Sequence, residues 1–250
     1  MQNLDGLWGL LLLLGPLLLL QRRLHHETQA IFLLLTRRGD LALVLFSVLF
    51  FPGVLLHEAS HFAMARLLGV RTGRFSVLPR ALPGGRLQLG FVETASVDIF
   101  RDALIGLAPL LAGGLFVAYA GYYRLGLPGA WESLVNGSSG LLSILNELHL
   151  KPDFWLWFYL TFAVSSTMLP SPSDRHAWLP LVIVAIVLLL VSFFVGAGPW
   201  LLANLASPFN QALRSVAMIF GIATGIHFVL LPPLWLMRQG LMKATGYRVV

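Results

Sequence analysis

The chain has 250 residues, of which 57% are hydrophobic and only 11% are charged. The charged share is less than half of the roughly 25% that is usual in soluble globular domains, and the mean hydropathy is +0.80. A soluble domain of this length cannot bury so much apolar surface. We therefore interpret the chain as an integral membrane protein.

Charge and cysteine content exclude several classes of site. The sequence contains no cysteine, which excludes disulfides, thiolate metal sites and a cysteine nucleophile. The formal net charge of +6 comes from basic residues scattered at the ends of apolar runs. They form no dense patch that would suit nucleic acid, and they fit the positive flanks of membrane helices better. We expect contact with the lipid bilayer and none with nucleic acid.

Apolar runs predict an α-helical polytopic membrane protein with about six transmembrane helices, since one crossing needs about 20 helical residues. The first run, Leu7–Leu20, contains Gly15-Pro16 and is interpreted as a kinked helix, with a re-entrant or interfacial placement as the alternative. No basic segment precedes it, unlike the start of a secretory signal. The five later runs cover residues 41–68, 103–123, 154–169, 177–199 and 216–237.

Two segments between these runs do not read as membrane helices. Apolar and polar residues alternate on both sides of Pro83-Gly84-Gly85, which predicts a small β-hairpin at about 71–97. Residues 124–153 are expected to form a long loop. Within that loop, the spacing of Leu141–Leu150 favours a short amphipathic helix whose polar face carries Ser143, Asn146 and Glu147.

One motif, near the end of the helix predicted at 41–68, points to metal chemistry. His57-Glu58-Ala59-Ser60-His61 places two imidazoles one helical turn apart, where both can bind one Zn²⁺. Glu58 lies beside them and is the candidate general base that takes a proton from water at the metal. With 7 His and 5 Glu, chance would produce this pattern only about 0.004 times in such a chain.

A zinc site needs a third protein ligand, and the candidate is Asp174. Pro170 and Pro172 end the helix predicted at 154–169, since proline cannot continue a helix. The helices predicted at 41–68 and 154–169 run in the same direction through the bilayer. His61 lies near the end of one and Asp174 just beyond the end of the other, so both are expected on the same side.

These two motifs resemble those of the site-2 protease family of intramembrane zinc metalloproteases. The resemblance rests on His57–His61 with the following residues Phe62–Val70, and on Pro170-Ser171-Pro172-Ser173-Asp174. It covers roughly residues 41–180 and implies a three-helix catalytic core with a membrane-associated hairpin. It also implies His57, His61 and Asp174 as zinc ligands and Glu58 as the catalytic residue.

The sequence departs from the family pattern at two positions. Asp174 is followed by Arg175 and His176, where the family usually has Gly after the Asp. Ala112 stands where many members have an Asn that is thought to assist the oxyanion, and alanine supplies no hydrogen-bond donor. His176 is a candidate partner for a metal ligand, with a simply solvated residue as the alternative.

The sequence divides into three parts and leaves two functions open. Residues 1–40 would be an N-terminal membrane or interfacial helix with a basic linker, 41–176 the site-2-protease-like catalytic core, and 177–250 C-terminal transmembrane helices with a basic tail. The first hypothesis is an intramembrane zinc metalloprotease that hydrolyses membrane-spanning or membrane-adjacent proteins or peptides. The alternative is a non-catalytic subunit of a larger membrane complex that keeps the fold.

Charge gives conflicting indications of orientation. With six helices, ten basic residues fall on the side of the metal site and seven on the other, which favours a cytoplasmic metal side. The first helix alone, with Asp5 before it and four arginines after it, argues for the opposite orientation. The usual placement in the site-2 protease family favours the cytoplasmic side, in a multi-pass protein of the cell membrane.

Overall fold

Helices make up most of the protein in the computed structural model, which describes residues 5–81, 87–137 and 141–248. The helices are α1 Asp5–Thr36, α2 Gly39–Leu67, α3 Ile99–Tyr119, α4 Leu127–Val135, α5 Leu141–His149, α6 Phe154–Ser165, α7 Trp178–Phe194 and α8 Gly198–Thr245. A π-helical turn, Ala120–Arg124, continues α3 directly. This architecture fits the expected helical membrane protein.

Within the described residues, four helices are long and apolar enough to cross a bilayer: α1, α2, α3 with its π-helical turn, and α8. The predicted count of six spans is not confirmed. Helix α6 has 12 residues and α7 has 17. At 1.5 Å per residue they reach about 18 Å and 26 Å, short of a hydrocarbon core of about 30 Å.

The N-terminal apolar run belongs to a longer helix than the sequence indicated. Helix α1 continues through Pro16 to Thr36, well beyond the predicted run at Leu7–Leu20. It lies along α8, with Gly6 against Asn210 near one end and Glu27 against Arg238 further along. Glu27 is fully buried, and the Arg238 Nε lies 2.5 Å from its Oε2. A buried carboxylate needs such a partner in an apolar helix.

The segment after α2 forms the expected antiparallel strands. β1 (Thr72–Ser76) pairs with β4 (Phe91–Thr94), and β2 (Arg80–Ala81) pairs with β3 (Leu87–Gln88). The predicted turn at Pro83-Gly84-Gly85 lies outside the described residues. The hairpin prediction is thus confirmed in its strands.

The segment predicted as a long loop at 124–153 contains two helices. The predicted amphipathic helix is confirmed as α5, and its polar residues Ser143, Asn146 and Glu147 are exposed. Helix α4 was not predicted from the sequence. Its apolar residues are interrupted by Pro128 and Gly129, which favour a turn reading, but proline is well tolerated in the first turn of a helix.

Small residues bring α2, α3 and α6 close together. A Cβ on Gly53 of α2 would overlap the Ala163 carbonyl of α6. A Cβ on Gly113 of α3 would lie 2.5 Å from the Cβ of Met168, just past the end of α6. Glycines allow such backbone approach between membrane helices. The three helices form the frame on which the candidate site is built.

Candidate metal centre

The two motif histidines and the late aspartate converge at one point. The Nε2 atoms of His57 and His61, one turn apart on α2, are 3.2 Å from each other. The Asp174 carboxylate lies 3.6 Å from His57 Nε2 through Oδ2 and 3.4 Å from His61 Nε2 through Oδ1. The structure therefore brings together the three residues that the sequence singled out, and they could hold a metal ion.

Backbone carbonyls fix the orientation of both imidazoles. His57 Nδ1–H donates to the Thr167 carbonyl at 2.7 Å, and His61 Nδ1–H donates to the Ile105 carbonyl at 2.8 Å. A carbonyl can only accept, so each Nδ1 carries the proton. In a neutral imidazole, the Nε2 then holds a lone pair. Both lone pairs are directed toward the same region beside Asp174.

This arrangement could hold a cation. Two lone pairs and a carboxylate at separations of 3.2–3.6 Å repel one another unless a metal ion or a proton lies between them. A tetrahedral zinc ion with ligand distances of about 2.0–2.1 Å keeps its ligand atoms about 3.3–3.4 Å apart. The donor types and their spacing fit such an ion. Metal-bound histidines also commonly donate their other ring N–H to a carbonyl.

The proline-rich segment frees the backbone groups that build the site. In a continuing helix, the N–H of residue 170 would bond to the Ser166 carbonyl. Pro170 has no N–H, and the Ser166 carbonyl instead accepts a 2.6 Å hydrogen bond from Gln21 Nε2. The Ser171 N–H donates to Asp174 Oδ2 at 2.7 Å and not to the Thr167 carbonyl. That carbonyl accepts from His57 instead.

Helix α6 consequently ends at Ser165, four residues before the predicted end at Leu169. Each proline lacks the N–H that would close the preceding turn, so the unwinding extends one turn upstream of Pro170. The chain from Ser166 to Ala177 is then non-helical and carries Asp174 to α2. Burial raises the pKa of the Asp174 carboxyl; donation from His57 and His61, when a proton occupies their Nε2 atoms, and from the Ser171 N–H lowers it below the usual range.

Glu58 lies beside the triad, in the same cavity of about 760 Å³. Its side chain is buried at 7% exposure and sits directly under Gly90, between β3 and β4. A Cβ at Gly90 would lie 2.7 Å from Glu58 Cγ and 2.9 Å from Oε1. Strand β4 also lines the cavity. The Glu58 side chain is thus covered by the β-hairpin and lines the same cavity as the three candidate ligands.

His176 does not contact the triad in this structure. Its Nε2 lies 2.7 Å from Asp102 Oδ2 on α3, and its Nδ1 lies 2.6 Å from the Ser173 carbonyl. The sequence pattern did not identify Asp102 as its partner. The cavity also extends to Gln21 and His25 on α1, a helix outside the stretch that resembles the site-2 proteases.

No family model, curated protein or solved structure matches this chain. The likeness to the site-2 proteases therefore consists of the two motifs and their spacing.

Proposed function

We propose that this protein is an intramembrane zinc metalloprotease of the site-2 protease type. The observation that carries the proposal is the convergence of two Nε2 lone pairs and the Asp174 carboxylate at separations of 3.2–3.6 Å, beside the buried Glu58. His57, His61 and Asp174 would hold the zinc ion. A zinc ion in that position supplies a Lewis acid that polarises a carbonyl group and lowers the pKa of water.

Glu58 provides the proton transfers that peptide hydrolysis requires. Its carboxylate takes a proton from the attacking water while the new C–O bond forms at the scissile carbonyl carbon. The same group then gives the proton to the amine as the C–N bond breaks, which leaves a carboxylic acid and an amine as products. Its position under Gly90 keeps it in the cavity with the three ligands.

The substrate would be an extended segment of a membrane-spanning or membrane-adjacent protein, because an intact helix hides its amide groups. Strand β4 (Phe91–Thr94) lines the cavity, and an extended peptide can be bound by addition to a strand edge. If all six predicted spans cross the bilayer, the count of ten basic residues against seven favours a cytoplasmic metal side.

A second function is favoured by Ala112 and Arg175. Without the usual donor at 112, the oxyanion would lose stabilisation that typically contributes several kcal/mol. A chain that keeps its metal but not its turnover would serve as a non-catalytic subunit in a membrane complex. Copurification with a fixed partner and no metal-dependent cleavage would favour this function.

The protease proposal is tested by removing and restoring the metal. We expect the protein, purified in detergent and reconstituted in liposomes, to cleave members of a panel of transmembrane peptides. Incubation with 1,10-phenanthroline should reduce cleavage to background, and added zinc should restore it, because the ligands are retained in the chain. Cleavage that persists after complete chelation would contradict the proposal, and so would a panel left intact by zinc-loaded protein.

A further inference from the structure

One face of α3 contacts three separate parts of the candidate site. Asp102, Ile105 and Gly106 follow the i, i+3, i+4 spacing that places residues side by side on a helix. The Ile105 carbonyl orients His61, and Gly106 lies so close to the Asp174 carbonyl that a Cβ there would overlap it. Asp102 holds His176, two residues after Asp174. Helix α3 thus touches one ligand through its imidazole and the other through its backbone.

The segment that carries Asp174 lacks the regular hydrogen bonds of a helix or strand. Local bonds shape it from within: Ser171 N–H donates to Asp174 Oδ2, and His176 lies 2.6 Å from the Ser173 carbonyl. Those contacts set its internal form but not its place relative to the rest of the protein. The 2.7 Å contact between His176 Nε2 and Asp102 Oδ2 connects it to α3 immediately beyond the ligand.

We propose that Asp102 and His176 are positioning residues that hold Asp174 at the metal. The inference rests on the metal centre of the proposed function. Asp174 lies on a turn between α6 and α7, and its carboxylate can stay near His57 and His61 only while that turn stays against α3. The Asp102–His176 contact supplies this link on the side of Asp174 away from α6. His176 therefore acts on the metal through the position of Asp174 and not by touching a ligand atom.

The competing interpretation is an exposed ion pair without function. His176 is 68% exposed and Asp102 is 26% exposed in their side chains, and exposed pairs contribute little to stability. A pair of that kind leaves metal binding unchanged when it is removed. The two interpretations therefore predict different metal affinities and ligand geometries for variants that lack the pair, and the same stability of the protein.

The test measures zinc affinity by competition with a chelator, and the visible spectrum of the Co²⁺-loaded protein, in Asp102→Ala, His176→Ala and the double variant. Loss of an outer partner of a metal ligand typically weakens metal affinity 10–100-fold. Since His176 acts on Asp174 only through the backbone, we expect a loss at the lower end of that range, about 10-fold, in each single variant, with altered cobalt bands because the Asp174 ligand is displaced. Because both substitutions break one contact, the double variant should bind no more weakly than either single variant.

Asp98→Asn is the matched control. Asp98 caps the same helix, accepts from the N–H groups of Phe100 and Arg101, and makes its ion pair with Arg101. Asparagine caps helices as well as aspartate does, so zinc affinity and the cobalt spectrum should stay those of the wild type. Wild-type affinity and spectrum in both single variants would overturn the positioning role alone. A wild-type protein that binds no zinc would overturn the proposed function, and this inference with it.

Discussion

Glu58→Gln is expected to abolish peptide hydrolysis while zinc remains bound. Glutamine keeps the size of the side chain under Gly90 but cannot take up a proton. A positioned general acid–base group typically contributes 10²–10⁴-fold to rate, so cleavage should fall at least about 100-fold. The rate and the zinc content are measured on the same preparation, to separate loss of chemistry from loss of metal.

Glu147→Gln is the control for this prediction. Glu147 lies on α5, outside the hairpin, and is exposed. It is not among the cavity-lining residues in the described part of the chain. Its substitution should leave the rate unchanged. Cleavage at the wild-type rate by Glu58→Gln would remove Glu58 from the mechanism.

Gly106→Ala is expected to disrupt the metal centre without unfolding α3. The added Cβ would overlap the Asp174 carbonyl, so the turn that carries the third ligand has to move away from α3. Alanine favours a helix over glycine by about 1 kcal/mol, so the helix itself is not weakened. We expect zinc affinity to fall by at least about 10-fold, as for the loss of a supporting contact, and cleavage to fall with it. Both are measured as for the wild type.

Gly114→Ala on the same helix separates this effect from a general response to a larger residue. A Cβ at Gly114 would lie 3.5 Å from the Cδ1 of Ile219, an ordinary van der Waals contact. That variant should bind zinc as the wild type does. Equal affinity in Gly106→Ala and Gly114→Ala would show that the close approach of α3 to Asp174 does not set the position of the ligand.

The proximity of His57, His61 and Asp174 was predictable because each step depended on a simple rule. The spacing of His57 and His61 follows from the helical repeat, and helix direction placed Asp174 on the same side. Neither inference needed side-chain packing. The strands at 71–97 and helix α5 were also predictable. Their apolar residues recur at every second position in the strands and at every third or fourth position in the helix.

The groups that orient the ligands could not be predicted from the sequence. Thr167 and Ile105 act through backbone carbonyls, which every residue carries, so no residue type marks them. Gly106 and Gly90 matter because of what lies against them, and that depends on packing between elements distant in the sequence. At the early end of α6, the Ser166 carbonyl accepts from Gln21 on α1, because Pro170 has no N–H to donate. Gln21 is distant in the sequence, so the pattern around Pro170 does not reveal it.

The full length of the N-terminal helix could not be predicted for a related reason. Leu7–Leu20 is a short apolar run, and a polar, basic stretch follows it. In the structure that stretch is helical as far as Thr36, and its buried Glu27 pairs with Arg23 one turn earlier and with Arg238 of α8. The partner on α8 lies more than 200 positions away, so the sequence gives no local sign of it.

The metal content of the detergent-purified protein tests the central claim most directly, measured beside His57→Ala and Asp174→Ala. The account predicts about one zinc ion per chain in the wild type and its loss in both variants, since each removes a donor from the group at 3.2–3.6 Å. A wild-type protein without zinc after metal-preserving purification would contradict it. Zinc retained in both variants would equally contradict it, because the ion would then be held elsewhere.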